Sequence, residues 1–133
     1  EIGGVVWLAQ DNIATSVYIP IYCSVYNLPE SYETPGRKNG YTRESAWWAF
    51  NRMSTLAAQR WGDMRYDVRN VMDEMQNEML KNQNEIEKKA LTIQDLEKRR
   101  KFLTKYTKNW GKKVVKKAWE TGDFLWTKYD EKF

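Results

Sequence analysis

Between Met64 and Ala118 the apolar residues recur at helical spacing in two long runs, parted only by a short connection at 90–93. In the first run Met64, Val68, Val71, Met72, Met75, Met79, Ile86 and Ala90 keep one narrow stripe over 27 residues. That is longer than an ordinary globular helix. In the second run Leu96, Leu103, Tyr106, Trp110, Val114 and Ala118 carry a stripe to about position 120. So short a connection between two such runs allows only antiparallel neighbours, so the sequence predicts a long helical hairpin. Thr92-Ile-Gln-Asp95 has the [ST]-x-x-[DE] form of a capping box and places the start of the second helix near 93. Gly111 is a weak point in that helix, and Gly122-Asp123 is expected to break it, leaving Phe124–Tyr129 for a further turn or two.

Charge supports the pairing. Residues 63–97 hold nine acidic and five basic side chains, whereas 98–117 hold ten basic and no acidic ones. The two long helices are therefore expected to attract each other. A shorter helix is predicted over 43–60, from the stripe Ala46, Ala49, Phe50, Met53, Leu56 and Ala57, with Gly62 as its stop and Asp63 as the N-cap of the next helix.

Upstream the period changes from helical to two. Val5-Val6-Trp7-Leu8-Ala9 is a short apolar run, and Ser16 to Val25 alternates. Two strands are expected. In the second, Val17, Ile19, Ile21, Cys23 and Val25 share one face, which puts Cys23 in an aliphatic row. Pro20 has no N–H for a ladder, so that strand is an edge or bulges there. Residues 27–41 contain two Pro, two Gly and two Asn and read as a long loop, a candidate wall of a binding site. The fold class that follows is α+β: a short N-terminal β-hairpin (1–26), the loop (27–41), and three mainly long helices (42–133), in one segment. The length of 133 residues calls for no second domain.

Several chemistries are excluded by what the chain lacks. It contains no His, so a Ser-His-Asp or Cys-His hydrolase cannot be assembled from these residues. One Cys can form neither an internal disulfide nor a metal site, and the residues suggest no metal and no cofactor. No apolar run is long enough to span a bilayer, and no targeting segment is evident, so nothing fixes a compartment. The abrupt start at Glu1, without an initiator Met, suits a chain cut from a longer one. Seven Trp, eight Tyr and four Phe are more large flat surface than a lone helical domain hides, so part of it is expected to meet something outside the chain.

Each pointed reading competes with a plainer one. The basic stretch from Lys98 to Lys117, interleaved with Phe102, Tyr106 and Trp110, resembles a nucleic-acid-binding helix. Its aromatics fall on the packed stripe and the net charge is only +4, so a solvated, charge-paired face is preferred and no nucleic acid is expected. The Met stripe reads as core rather than as a promiscuous groove. Cys23 reads as packing, because a reactive thiol needs a basic neighbour or a helix N-terminus. Asp11 and Asn12, with Thr15 close by, are small polar groups on the strand connection, where either an ordinary turn or a substrate contact is at home.

Val6-Trp-Leu-Ala-Gln-Asp-Asn12, Thr15-Ser-Val-Tyr-Ile-Pro-Ile-Tyr-Cys23, Leu28-Pro-Glu-Ser-Tyr32 and Ser45-Ala-Trp-Trp-Ala-Phe-Asn51 resemble the C-terminal region of the PepD-type dipeptidases, family 69 of the cysteine peptidases. Arg100-Lys-Phe-Leu-Thr-Lys-Tyr106 and Gly122-Asp-Phe-Leu-Trp-Thr-Lys-Tyr129 are similar to the terminal helices of that family. The resemblance implies an N-terminal-nucleophile fold, two sheets between helical layers, and hydrolysis of dipeptides by an N-terminal Cys whose own α-amino group is the base. That chemistry needs no His. Glu1 is no nucleophile and Cys23 matches the inner-strand motif, so no catalytic residue carries over, and the nucleophile is expected upstream. Asp11, Asn12 and Thr15 are the expected substrate-side polar groups. The expected partners are the N-terminal part of the same peptidase and a dipeptide, with no membrane, and homo-oligomerisation stays open. The competing reading is a self-standing α+β binding or assembly module.

Overall fold

A computed structural model describes residues 2–133. Two short strands, β1 (Val5–Leu8) and β2 (Ile19–Tyr22), pair antiparallel, Val5 opposite Tyr22 and Leu8 opposite Ile19. They are followed by α1 (Glu30–Glu33), α2 (Ala46–Gln59), α3 (Trp61–Thr92) and α4 (Leu96–Tyr129). The architecture is the α+β arrangement the sequence implies, a β-hairpin followed by three long helices. The loop 27–41 is less irregular than its composition suggests, since it holds α1 and a 3-10 turn at Arg37–Asn39.

α3 and α4 run antiparallel, with Ala90 and Leu103 in one small buried cluster toward their connection, the main core further along, and polar contacts between them. Lys113 Nζ reaches Glu78 at 3.3 Å and Lys128 Nζ reaches Asp67 at 2.9 Å, while Tyr129 donates to the same carboxylate at 2.6 Å. Of the basic run 98–117, Lys101 and Lys117 instead pair within α4, with Glu97 and Glu120. The attraction between the two helices thus rests on a few cross-helix pairs rather than on the whole run.

The helix boundaries differ from those expected, each for a local reason. α3 begins at Trp61, so Gly62 lies inside it and Asp63 is a first-turn residue paired with Arg60 at 2.8 Å. Thr92 closes α3 instead of capping α4. The N-cap of α4 is Asp95, whose side chain accepts from Lys98 N at 3.0 Å, and Arg99 Nε donates to the Ile93 carbonyl and to the Ala90 carbonyl, which also accepts from Ile93 N. α4 starts its buried stripe at Leu103, with Leu96 exposed. It does not break at Gly122-Asp123 but continues to Tyr129.

The two glycines inside α4 are places of close approach. A Cβ on Gly111 would lie 2.2 Å from Pro29 Cγ, so the loop after β2 is seated directly on the helix. At Gly122 a Cβ would lie 2.5 Å from Arg52 Nη1, and the same guanidinium pairs with Asp123 at 2.9 Å. At Gly111 glycine is needed for packing against the rigid Pro29 ring, and its helix cost is offset by contact, whereas at Gly122 the neighbour is the tip of a flexible side chain that can swing aside. The main core gathers Val17, Ile19, Phe50, Met53, Met64, Met72, Val114 and Leu125 around α4, and a smaller cluster joins Tyr22 to Ala90 and Leu103. The Met stripe is core: Met64, Met72 and Met79 are fully buried.

The hairpin meets the helices through β2. Cys23 N donates to Gly4 O at 2.9 Å, so the bonded pairs are the odd residues of β2, and Pro20 falls at a position where β1 asks for no N–H. No bulge is required. The even residues turn their main-chain groups to the helices: Gln76 of α3 accepts from Tyr18 N at 2.8 Å and donates to Tyr18 O at 3.1 Å, and Thr107 of α4 donates to Pro20 O at 2.8 Å. Cys23 does not sit in an aliphatic row. β2 ends at Tyr22, Val25 N turns back to Tyr22 O, and Cys23 is left exposed.

Candidate functional site

The connection between β1 and β2, residues 9–18, is a polar turn pinned to two helices. Asp11 takes a left-handed backbone, φ 57°, a conformation that Asp tolerates better than most residues. Asn12 Oδ1 then accepts from Ala14 N at 3.0 Å, and Thr15 N and Oγ1 both donate to Asn12 O, at 3.1 and 3.2 Å. The turn closes on itself. From α2, Asn51 Nδ2 donates to Asp11 Oδ2 at 3.3 Å, and Asn12 Nδ2 donates to Ser54 Oγ at the same distance. From α3, Arg69 Nη1 donates to Ser16 O at 2.9 Å while its guanidinium pairs with Asp73.

The three polar residues singled out from sequence are thus brought together in one turn, in two different conditions. Asp11 and Asn12 are exposed at the rim. Thr15 is buried, with its hydroxyl directed at the Asn12 carbonyl. Asn51, Ser54 and Arg69 were not anticipated as members of this cluster. Asn51 and Ser54 stand three apart on an otherwise apolar-striped helix, which is the one sequence signal that could have picked them out.

The loop after β2 walls a different depression. A cleft of about 760 Å³ opens between Glu30, Ser31 and Thr34 on one side and Lys112, Lys116 and Trp119 of α4 on the other. Arg43 stacks over Trp119 at 4.2 Å on its rim. Asp11, Asn12 and Thr15 do not line it. Turn and loop therefore flank α2 at separate places.

Nothing in this region is equipped as a nucleophile with its base. The single thiol, Cys23, lies over the backbone of Gly4, where a Cβ would come within 3.3 Å of its sulfur. Burial pushes the phenols of Tyr22, Tyr32 and Tyr106 above their ordinary range, with the Glu87 carboxylate adding to the effect at Tyr22 through a 3.1 Å hydrogen bond. They stay protonated at neutral pH. Among the described residues no group of three or more His, Cys, Asp or Glu could hold a metal, and no helix is long and apolar enough to cross a membrane.

Fold and site together define an α+β chain with a polar turn docked on two helices and a thiol that stands apart from it. The chain belongs to peptidase family C69, whose family model matches residues 1–74. The matched stretch takes in both strands, the polar turn, α1, α2 and the start of α3. No curated protein and no solved structure matches the chain.

Proposed function

We propose that this chain is the supporting C-terminal portion of a cysteine dipeptidase whose nucleophile, an N-terminal Cys using its own α-amino group as base, lies in polypeptide preceding these residues. The observation that carries the reading is the C69 match over the hairpin and polar turn, in a stretch whose one thiol is exposed beyond a strand end and has no His to activate it. An α-amino base removes the need for His. On this reading the exposed Asp11 carboxylate, held by Asn51, receives the α-ammonium of a dipeptide, Asn12 offers its side chain beside it, and Thr15 is a positioning residue that fixes the Asn12 carbonyl.

The test is hydrolysis of a panel of dipeptides. Residues 1–133 alone should release no amino acids, and the longer polypeptide should, with its rate unchanged by Cys23→Ala. In the longer polypeptide Asp11→Asn should raise KM about tenfold, the scale of one charged hydrogen bond, with kcat little changed. Hydrolysis by residues 1–133 that disappears with Cys23→Ala would overturn the proposal. The alternative, a binding or assembly module without activity, draws on Phe124, Trp126 and Phe133, which stay about half exposed near the end of α4. It would be favoured by a longer polypeptide inactive on every dipeptide.

A further inference from the structure

The basic run of α4 is far less neutralised than the acidic composition of α3 would allow. Of its lysines, Lys113 alone pairs with a described carboxylate of α3, Glu78 at 3.3 Å. Lys101, Lys116 and Lys117 turn to Glu97 and Glu120 of their own helix. Lys105, Lys108 and Lys112 have no carboxylate at ion-pair distance among the described residues.

These free charges are gathered in one place. Lys101, Lys105, Lys108 and Lys112 stand at i, i+4, i+7 and i+11, a single stripe that spans roughly 16 Å at the α-helical rise. Tyr26 and Asn27 face it across a groove of about 480 Å³. That wall is fastened to the helix: Tyr26 N donates to Thr104 Oγ1 at 2.9 Å, and Arg100 Nε donates to Ser24 O at 2.7 Å while its guanidinium lies over the Tyr26 ring at 4.0 Å. No acidic side chain lines the groove, although Lys108 is half-buried there. Four ammonium groups so placed repel one another, and an anionic partner relieves that repulsion.

The surroundings choose among anions. Trp110 is buried, and Phe102 and Tyr106 pack against the core, while Arg100 covers one face of Tyr26, so the groove offers no row of rings on which bases could stack. The charges are recessed beside a wall, which suits a strand of polymer better than the plane of a membrane. Lysines act as point charges and take single carboxylates, and an extended peptide presents every second side chain on one face, about 6.8 Å apart, so three acidic residues in alternation match the length of the stripe. Asn27 and Asn109 add amides able both to donate to and to accept from a peptide backbone.

We infer that this groove is a docking site for an acidic polypeptide segment in extended conformation. It shares no residue with the polar turn, and its lysines lie outside the stretch matched by the family model, so it stands whether or not the peptidase reading does.

Fluorescence anisotropy of a labelled peptide of alternating Glu and Ala, titrated with residues 1–133 at low salt, tests this. The peptide should bind, its Gln-Ala counterpart should not, and added salt should weaken the complex. The triple variant Lys105→Gln, Lys108→Gln, Lys112→Gln should weaken binding about tenfold, the scale of three exposed ion pairs. Removing the same charge from α3, by Lys81→Gln, Lys88→Gln and Lys89→Gln, should change it less than about twofold, which separates the groove from net charge. Equal losses in the two triple variants, or no binding of the acidic peptide, would overturn the inference. So would tighter binding of an oligothymidylate of matched charge or of anionic phospholipid vesicles, which would make a nucleic acid or a membrane the occupant.

Discussion

α3 and α4 are nearly equal in length, 32 and 34 residues, yet they are packed in opposite ways. α3 buries Met64, Val68, Met72, Met75, Met79 and Ala90, one narrow stripe flanked by half-buried Val71 and Ile86, and gives most of the rest of its surface to solvent. α4 buries thirteen residues, among them Thr107, Gly111, Ala118, Thr121 and Gly122, because α2, α3, β2 and the α1 segment all lean on it. One helix is a strut laid on the outside and the other is the axle of the fold. The family match covers the elements that lean on the axle and ends within the first part of α3, so α4 lies outside it. A surface-bound helix can hold its place with flexible, forgiving side chains such as Met. A helix surrounded on several sides needs small residues where backbones come close.

The comparison is tested most severely at Gly111, where a side chain must displace the Pro29 ring. Gly111→Val should destabilise the chain by about 3 kcal/mol, at the upper end of the usual cost of overpacking, as read by urea unfolding followed by Trp fluorescence. Pro29→Gly added to that variant should recover part of the loss, since it is the ring that the new methyl groups meet. A wild-type midpoint in Gly111→Val would mean that the loop is not seated on α4 and that the axle description is wrong.

Truncation on the strut comes next. Met72 is fully buried, and Met72→Ala should cost about 2 to 3 kcal/mol, near the low end for a buried Met because neighbouring Met side chains can fold into the space. The same unfolding experiment on Tyr66, which is 59% exposed on the outer face of α3, sharpens the contrast. Tyr66→Ala should stay within about 0.5 kcal/mol of wild type. Comparable losses from both positions would show that α3 is enclosed as α4 is.

Much of this contrast could be read before the structure, and its limits are physical. The switch from period two to helical spacing, the two long stripes and the short connection are local patterns, and each reports a face of one element. They placed the hairpin, the long helices and the buried Met residues. The glycines of α4 misled because a glycine announces backbone freedom locally, whereas what Gly111 and Gly122 serve is contact with Pro29 and Arg52, remote in sequence. The cap of α4 misled because Thr92 and Asp95 are both competent N-caps three residues apart. In the structure Asp95 caps α4 through Lys98 N, and Arg99 adds bonds to the Ala90 and Ile93 carbonyls across the connection, a contact between residues that no local cap pattern announces. Cys23 continued the alternation in sequence, but alternation says nothing of where the partner strand stops. At the polar turn Asp11, Asn12 and Thr15 were visible as turn residues, while Asn51 and Ser54, which hold it, belong to a helix whose apolar stripe drew attention to the opposite face.

The smallest stability gain or loss that a helix glycine should produce has the opposite sign and isolates the role of glycine most cleanly. Gly62 also lies inside a helix, near the start of α3, but a Cβ there would meet nothing within 4 Å. With no contact to offset it, this glycine carries only the entropic cost of a flexible residue in a helix. Gly62→Ala should therefore stabilise the chain by about 0.5 to 1 kcal/mol, while Gly111→Ala, the same substitution on the axle, destabilises it. The pair holds amino-acid chemistry and helical conformation constant and varies only what stands outside the helix. Two stabilising outcomes would show that helix propensity alone governs both sites. Opposite signs would show that Gly111 is retained for the loop that presses on it.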